Sequence, residues 1–121
     1  MLTWRVMLNP SLFNQAQYMK DFNARPESRR FAQSKGKCRM VRCPKKEDRV
    51  VFVLKGNIIM EGVVDSDGFE NGKYHQLHSC NLGGNRPHAE MEEFVWINIT
   101  SVDLSQPVKK SGQRTWAKIN I

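Results

Sequence analysis

No stretch of this chain approaches the ~20 consecutive apolar residues that span a bilayer. Met1 to Pro10 is apolar only in short bursts interrupted by Arg5. No charged-then-apolar signal segment is evident, so secretion is not expected. Cysteine is scarce. There are three, an odd number that no pairing scheme leaves fully bonded, which argues against a disulfide framework and for a reducing interior, cytoplasmic or nuclear. The tripeptide Asn98-Ile99-Thr100 matches a glycosylation acceptor, but with no secretory signal it reads as part of a strand. Also missing are a Gly-rich phosphate loop with its lysine, a dinucleotide fingerprint and a Gly-flanked nucleophile elbow. No internal repeat or low-complexity segment interrupts the chain.

What is present fits one domain spanning residues 1–121. Hydrophobic residues make up 40% and charged residues 26%, enough apolar volume for one compact core and ordinary for a globular protein. The charge is unevenly spread. Between Arg25 and Arg49 stand ten basic residues against three acidic ones, a balance of +7, while the other 96 residues hold nine of each. All the excess charge therefore lies in about a fifth of the chain. A localised basic stretch is the footprint of a phosphate-binding surface, although a charge run alone describes a solvated face equally well.

Thr3 to Leu8 reads as an opening strand stopped by Asn9-Pro10. Ser11 then offers an N-cap for a helix that places Leu12, Phe13, Ala16, Met19 and Phe22 at three- and four-residue spacing. Asn23 to Ser34, broken by Pro26, reads as loop with a short helical turn around Phe31. Cys38 to Cys43 is a candidate strand ended by Pro44. The clearest signal is Arg49 to Leu54, a Lys55-Gly56-Asn57 link, and Ile58 to Val64, which mark a hairpin. Gly62 inside that pattern indicates a bulge or a close backbone approach. A strand over Lys73 to His78 precedes a long loop from Ser79 to Glu90. Phe94 to Val102 is the second strong strand. Val95, Ile97 and Ile99 form its apolar face, and the opposite face runs from Phe94 and Trp96 to polar Asn98 and Thr100. Thr115 to Ile119 returns as a last strand. The sum is an α+β fold: a small β-barrel of five to seven strands with one or two flanking helices.

Three groupings invite chemistry. Cys38, Cys43 and Cys80 with His75, His78 and His88 could form a zinc site. However, Cys38 and Cys43 are five residues apart, and on a regular strand they face opposite ways. Cys80 near His78 and His88 could form a nucleophile–base pair, but nothing in the spacing singles it out. Asp65 and Asp67 are explained by turn chemistry. No metal, cofactor or catalytic activity is expected. Nucleic-acid binding fits better, because unpaired bases are held by aromatic or guanidinium faces while Lys and Arg neutralise phosphates. Arg29, Arg30, Lys35, Lys37, Arg39 and Arg42 are the expected phosphate contacts. Trp4, Trp96 and Trp116 lie elsewhere in the chain, and core packing is the expectation for most of these aromatics. Phe31, between Arg29-Arg30 and Lys35, is the aromatic expected to face a ligand.

Three anchors in order resemble the PUA-like superfamily, closest to its EVE and YTH domains. These are Trp4 to Ser11, the hairpin from Asp48 to Val64, and Phe94 to Ile99 followed by Val102 and Pro107-Val108. Together they cover about two-thirds of the chain. The resemblance implies a pseudo-barrel with a pocket, beside the first strand and the central hairpin, that receives a modified or flipped-out base. It implies polar contacts from Asn9 and Ser11, and Phe31 as the aromatic after the first helix. The chain departs from the pattern at Glu47, where the family carries glycine, and in lacking a second pocket tryptophan in the hairpin. Asn81, Asn85 or His88, in the Ser79 to Glu90 loop, would then supply hydrogen bonds to the base. The expected function is that of a reader of RNA or DNA. A protein-interaction module whose basic face docks an acidic partner, and a small nucleoside hydrolase of the related ASCH type, are the alternatives.

Overall fold

The computed structural model describes residues 1–11, 13–35, 43–73, 90–108 and 116–119. Eight strands form one mixed sheet: β1 (Thr3–Met7), β2 (Arg30–Ser34), β3 (Arg49–Leu54), β4 (Asn57–Val64), β5 (Glu70–Lys73), β6 (Glu90–Ser101), β7 (Gln106–Pro107) and β8 (Trp116–Ile119). A single α-helix among the described residues, α1 (Gln15–Ala24), and a 3-10 turn (Pro26–Arg29) separate β1 from β2. The strand order is β2-β6-β4-β3-β1-β8, with β5 paired to β6 and β7 to β4. Among the described residues only the β1–β3 pairing is parallel. The fold is α+β and dominated by its sheet. No helix among the described residues is long and apolar enough to cross a membrane.

Strand alternation builds the core. Trp4 and Val6 of β1, Val50, Phe52 and Leu54 of β3, and Val95, Ile97 and Ile99 of β6 join one cluster, which α1 closes with Tyr18 and the preceding Phe13. Ladders leave β2 and β8 as the two ends of the strand order. The sheet nonetheless curls far enough for the Trp116 indole N–H on β8 to donate to the Ser34 carbonyl oxygen on β2, at 2.8 Å.

The β3–β4 link is a two-residue turn. Lys55 and Gly56 both adopt positive φ, 51° and 83°, as a type I′ hairpin requires. Bulges fall at Phe52/Val53 in the β3–β4 pairing and at Glu61/Gly62 in the β4–β6 pairing. The second is the irregularity that Gly62 predicts.

Several elements differ from expectation. The helix cap falls three residues after Ser11. Asn14 is the N-cap, its side chain accepting from the Gln17 N–H, because Asn9 folds Pro10 and Ser11 into a turn that delays helical geometry. Tyr18 and Asp21 are consequently the buried helical positions, and Ala16 is exposed. Around Phe31 the chain is strand rather than helical turn, since pairing of Arg30–Ser34 with Phe94–Asn98 overrides the weak local preference. The segments expected as strands over Cys38 to Cys43 and Lys73 to His78 lie largely outside the described residues. Of these, Lys73 ends β5 and Cys43 lies outside any strand.

Candidate functional site

Asp48 fixes the frame from which the surface is built. It lies in the turn before β3, 5% exposed. It accepts from the Leu2 backbone N–H, the Trp4 indole N–H and the Lys45 backbone N–H, all at 3.0 Å. Burial alone would raise its pKa. The three hydrogen bonds outweigh burial and hold the carboxyl below its ordinary value. The start of β1 is thereby tied to β3, the strand it parallels.

At one end of this frame, the 3-10 turn and β2 present the described part of the basic segment. Arg25, Arg29 and Arg30 are exposed. The Arg29 guanidinium lies 4.7 Å over the Phe22 ring while its Nε–H donates to the Phe22 carbonyl. Arg30 lies 4.2 Å over the Trp96 ring, with Nε 3.5 Å from Asp65 Oδ2. Lys35, just after β2, pairs with Glu93 at 3.1 Å. Its charge is therefore partly offset, and as a surface ion pair it adds little stability. Lys37, Arg39 and Arg42 lie outside the described residues.

Phe31 does not face this surface. It is 5% exposed and meets Tyr18, Phe52 and Phe13 edge-on, with centroids 5.5–6.3 Å apart. The cause is strand period: Arg30 points outward, so Phe31 points into the core. The aromatics beside the arginines are instead Phe22, at Arg29, and, at Arg30, Trp96. Alternation in β6 held the signal that finds it, because Trp96 stands between inward Val95 and Ile97. Its contact with Arg30 depends on a strand pairing that no local pattern reveals.

A cleft of about 670 Å³ opens between the start of α1, the β3–β4 turn and the segment after β6. Met19, Ile59 and Leu104 form apolar wall, and Gln15, Lys55 and Asp103 bring polar groups. Lys55 and Asp103 both carry positive φ, 51° and 61°, so two non-glycine residues in the left-handed region line one opening. At Lys55 that conformation is the one the type I′ hairpin requires. Asn9 and Ser11 are exposed and flank Pro10 of the lining. The Asn9 side chain already accepts from the Ser11 backbone N–H at 2.9 Å. Asn81, Asn85 and His88 lie outside the described residues. So do Cys38, Cys80, His75 and His78, whereas Cys43 is an exposed free thiol.

The described residues thus define a sheet-dominated α+β protein with exposed arginines at one end of α1 and a mixed polar and apolar cleft at the other. Comparison with protein-family models, with curated proteins and with solved structures finds no match in any of the three.

Proposed function

We propose that this chain is a nucleic-acid-binding domain, PUA-like in architecture, that reads RNA or DNA through an unpaired base. The observation that carries the proposal is the concentration of all excess positive charge between Arg25 and Arg49. Arg25, Arg29 and Arg30 of that stretch are exposed on consecutive elements. Phosphates are neutralised there, and in the sequence Lys35, Lys37, Arg39 and Arg42 continue the basic stretch. The approach of Trp116 to Ser34, which draws the two ends of the sheet together, supports a pseudo-barrel. The cleft lies beside the end of β1 and the β3–β4 hairpin, where the resemblance implies a base pocket. Its volume is in the range of small-ligand sites. The ten residues of α1 span about 15 Å, so backbone grip and base capture act on different nucleotides of one strand. A modified or flipped-out base is the finer expectation. Flipping costs a few kcal/mol, which contacts to the base must repay.

Fluorescence anisotropy with labelled single-stranded RNA and DNA at several salt concentrations tests the reading. Log affinity should fall linearly with log salt, by about 0.7 per phosphate contacted. Joint reversal, Arg29→Glu with Arg30→Glu, should abolish binding to every sequence. Binding that ignores salt would refute it. Competition by polyglutamate as effective as by oligonucleotide, with no preference among bases, would turn the assignment to an acidic protein partner.

A further inference from the structure

We infer that Arg30 and Trp96 form a stacking platform for a second unpaired base, on the outer face of the β2–β6 ladder and away from the cleft. The inference rests on the nucleic-acid reading above and names a site within it. Of the three tryptophans, Trp4 and Trp116 are sealed in the core, 4% and 2% exposed. Trp96 is only partly buried and belongs to a separate small cluster with Ala32 and Phe94. Register explains the geometry. Arg30 lies opposite Asn98 and Ala32 opposite Trp96, so Arg30 and Trp96 are diagonal neighbours on one face. The small side chain of Ala32 leaves the long Arg30 side chain a path toward the indole. Phe94 supports the indole edge-on, with centroids 5.6 Å apart and planes at 88°.

The turn after β4 holds both partners. The Asp65 backbone N–H donates to the Trp96 carbonyl at 2.8 Å, the Trp96 backbone N–H donates to Ser66 Oγ at 3.0 Å, and the Asp65 carboxylate engages the Nε edge of Arg30. The guanidinium plane is thus oriented before any ligand arrives, which lowers the ordering cost of binding. The Arg30 side chain is 47% exposed. The guanidinium carbon lies over the indole, so a base would approach from the side away from the ring. A planar base laid on the outer face extends the stack from indole to guanidinium to base. Asn98, exposed directly across the ladder from Arg30, offers an amide to the base edge. Arg25 and Arg29, just upstream, supply charge complementary to the flanking phosphates.

A short single-stranded oligothymidylate and its abasic counterpart, which keeps the phosphates and lacks the bases, separate stacking from charge. The wild-type chain should bind the base-bearing strand at least about tenfold more tightly than the abasic one. Arg30→Lys keeps the charge and loses the plane. It should weaken the base-bearing strand about tenfold while leaving the abasic strand within about twofold. Protection of tryptophan fluorescence from acrylamide by oligothymidylate, in the wild type and lost in Trp96→Phe, gives a readout that does not depend on Arg30 variants folding. If both strands bind equally and Arg30→Lys changes neither, the platform is refuted and nucleic-acid binding stands. If neither strand binds, the nucleic-acid reading fails and the platform falls with it.

Discussion

Replacing Gly62 with alanine probes the joint between β4 and β6 at its tightest point. A Cβ at this position would sit 2.5 Å from the Asn98 carbonyl oxygen and 2.8 Å from Ile97 Cγ2. Cγ2 of fully buried Ile97 is fixed to a β-branched Cβ, and the Asn98 oxygen is backbone and moves only with its strand. Asn98 and its neighbours pair with β2 on one side and β4 on the other, so a shift is felt across three strands. Overpacking costs 1–3 kcal/mol in typical cores. A backbone obstacle puts this case near the top, about 3 kcal/mol, with roughly 1 kcal/mol more for a weakened ladder bond. Restricting the unfolded chain returns about 0.4–1 kcal/mol. The net loss is about 3 kcal/mol. A chain of this length has an unfolding entropy near 0.25 kcal/mol per degree, so Tm should fall by about 12 °C in a far-ultraviolet circular dichroism melt. Gly56→Ala is the internal control. No atom lies within 4 Å of its added Cβ, yet φ is +83°, so only the left-handed penalty of about 1–2 kcal/mol applies. A Gly62→Ala melt within about 2 °C of wild type, or a loss no larger than that of Gly56→Ala, would refute the reasoning.

Asp48→Asn should destabilise the fold by about 2–3 kcal/mol at neutral pH, because its amide cannot accept on both sides from the Trp4, Leu2 and Lys45 donors. Since the folded carboxyl titrates below its ordinary value of 3.8, the stability it contributes is fully present above that value. It is lost as pH falls toward the folded pKa. Urea midpoints of wild type and variant should therefore differ by a constant amount through neutral pH and converge only below about pH 3.8; convergence near pH 6 would contradict the assignment. Phe31→Ala, which empties a site enclosed by Tyr18, Phe52 and Phe13, should cost about 3–5 kcal/mol. Guanidinium unfolding of the variant checks this, and an unchanged midpoint with altered base preference would return Phe31 to the ligand.

The parts of the fold legible in the sequence are those written with a strong period or a demanding turn. The β3–β4 hairpin shows in its two apolar runs around Lys55-Gly56. The inward face of β6 is given by Val95, Ile97 and Ile99, and Gly62 announced its bulge. Illegible features were those decided by partners remote in sequence. Arg30–Ser34 carries no strong strand pattern and becomes a strand because β6 offers it a ladder. The helix start moved because Asn9 holds the Ser11 and Phe13 N–H groups in a turn and the Asn14 side chain takes the Gln17 N–H as the cap, and residue preferences at caps do not rank such neighbours.

The same distinction explains why the ring expected at the ligand was the wrong one. Phe31 lies among arginines along the chain, but neighbours along a strand face opposite sides. Its closeness to Arg30 in sequence is therefore the reason it cannot share a surface with that side chain. A ring that does share it must come from a residue of the paired strand on the outward phase. In β6 those positions are Phe94 and Trp96, and of the two Phe94 is 5% exposed. Trp96 is the remaining candidate, and the guanidinium of Arg30 lies over it. Arg30 thus shares its face with Trp96, whereas Arg29 and Lys35 lie over Phe22 and Phe69, rings packed against the main core, and the aromatic that serves Arg30 belongs to another part of the chain.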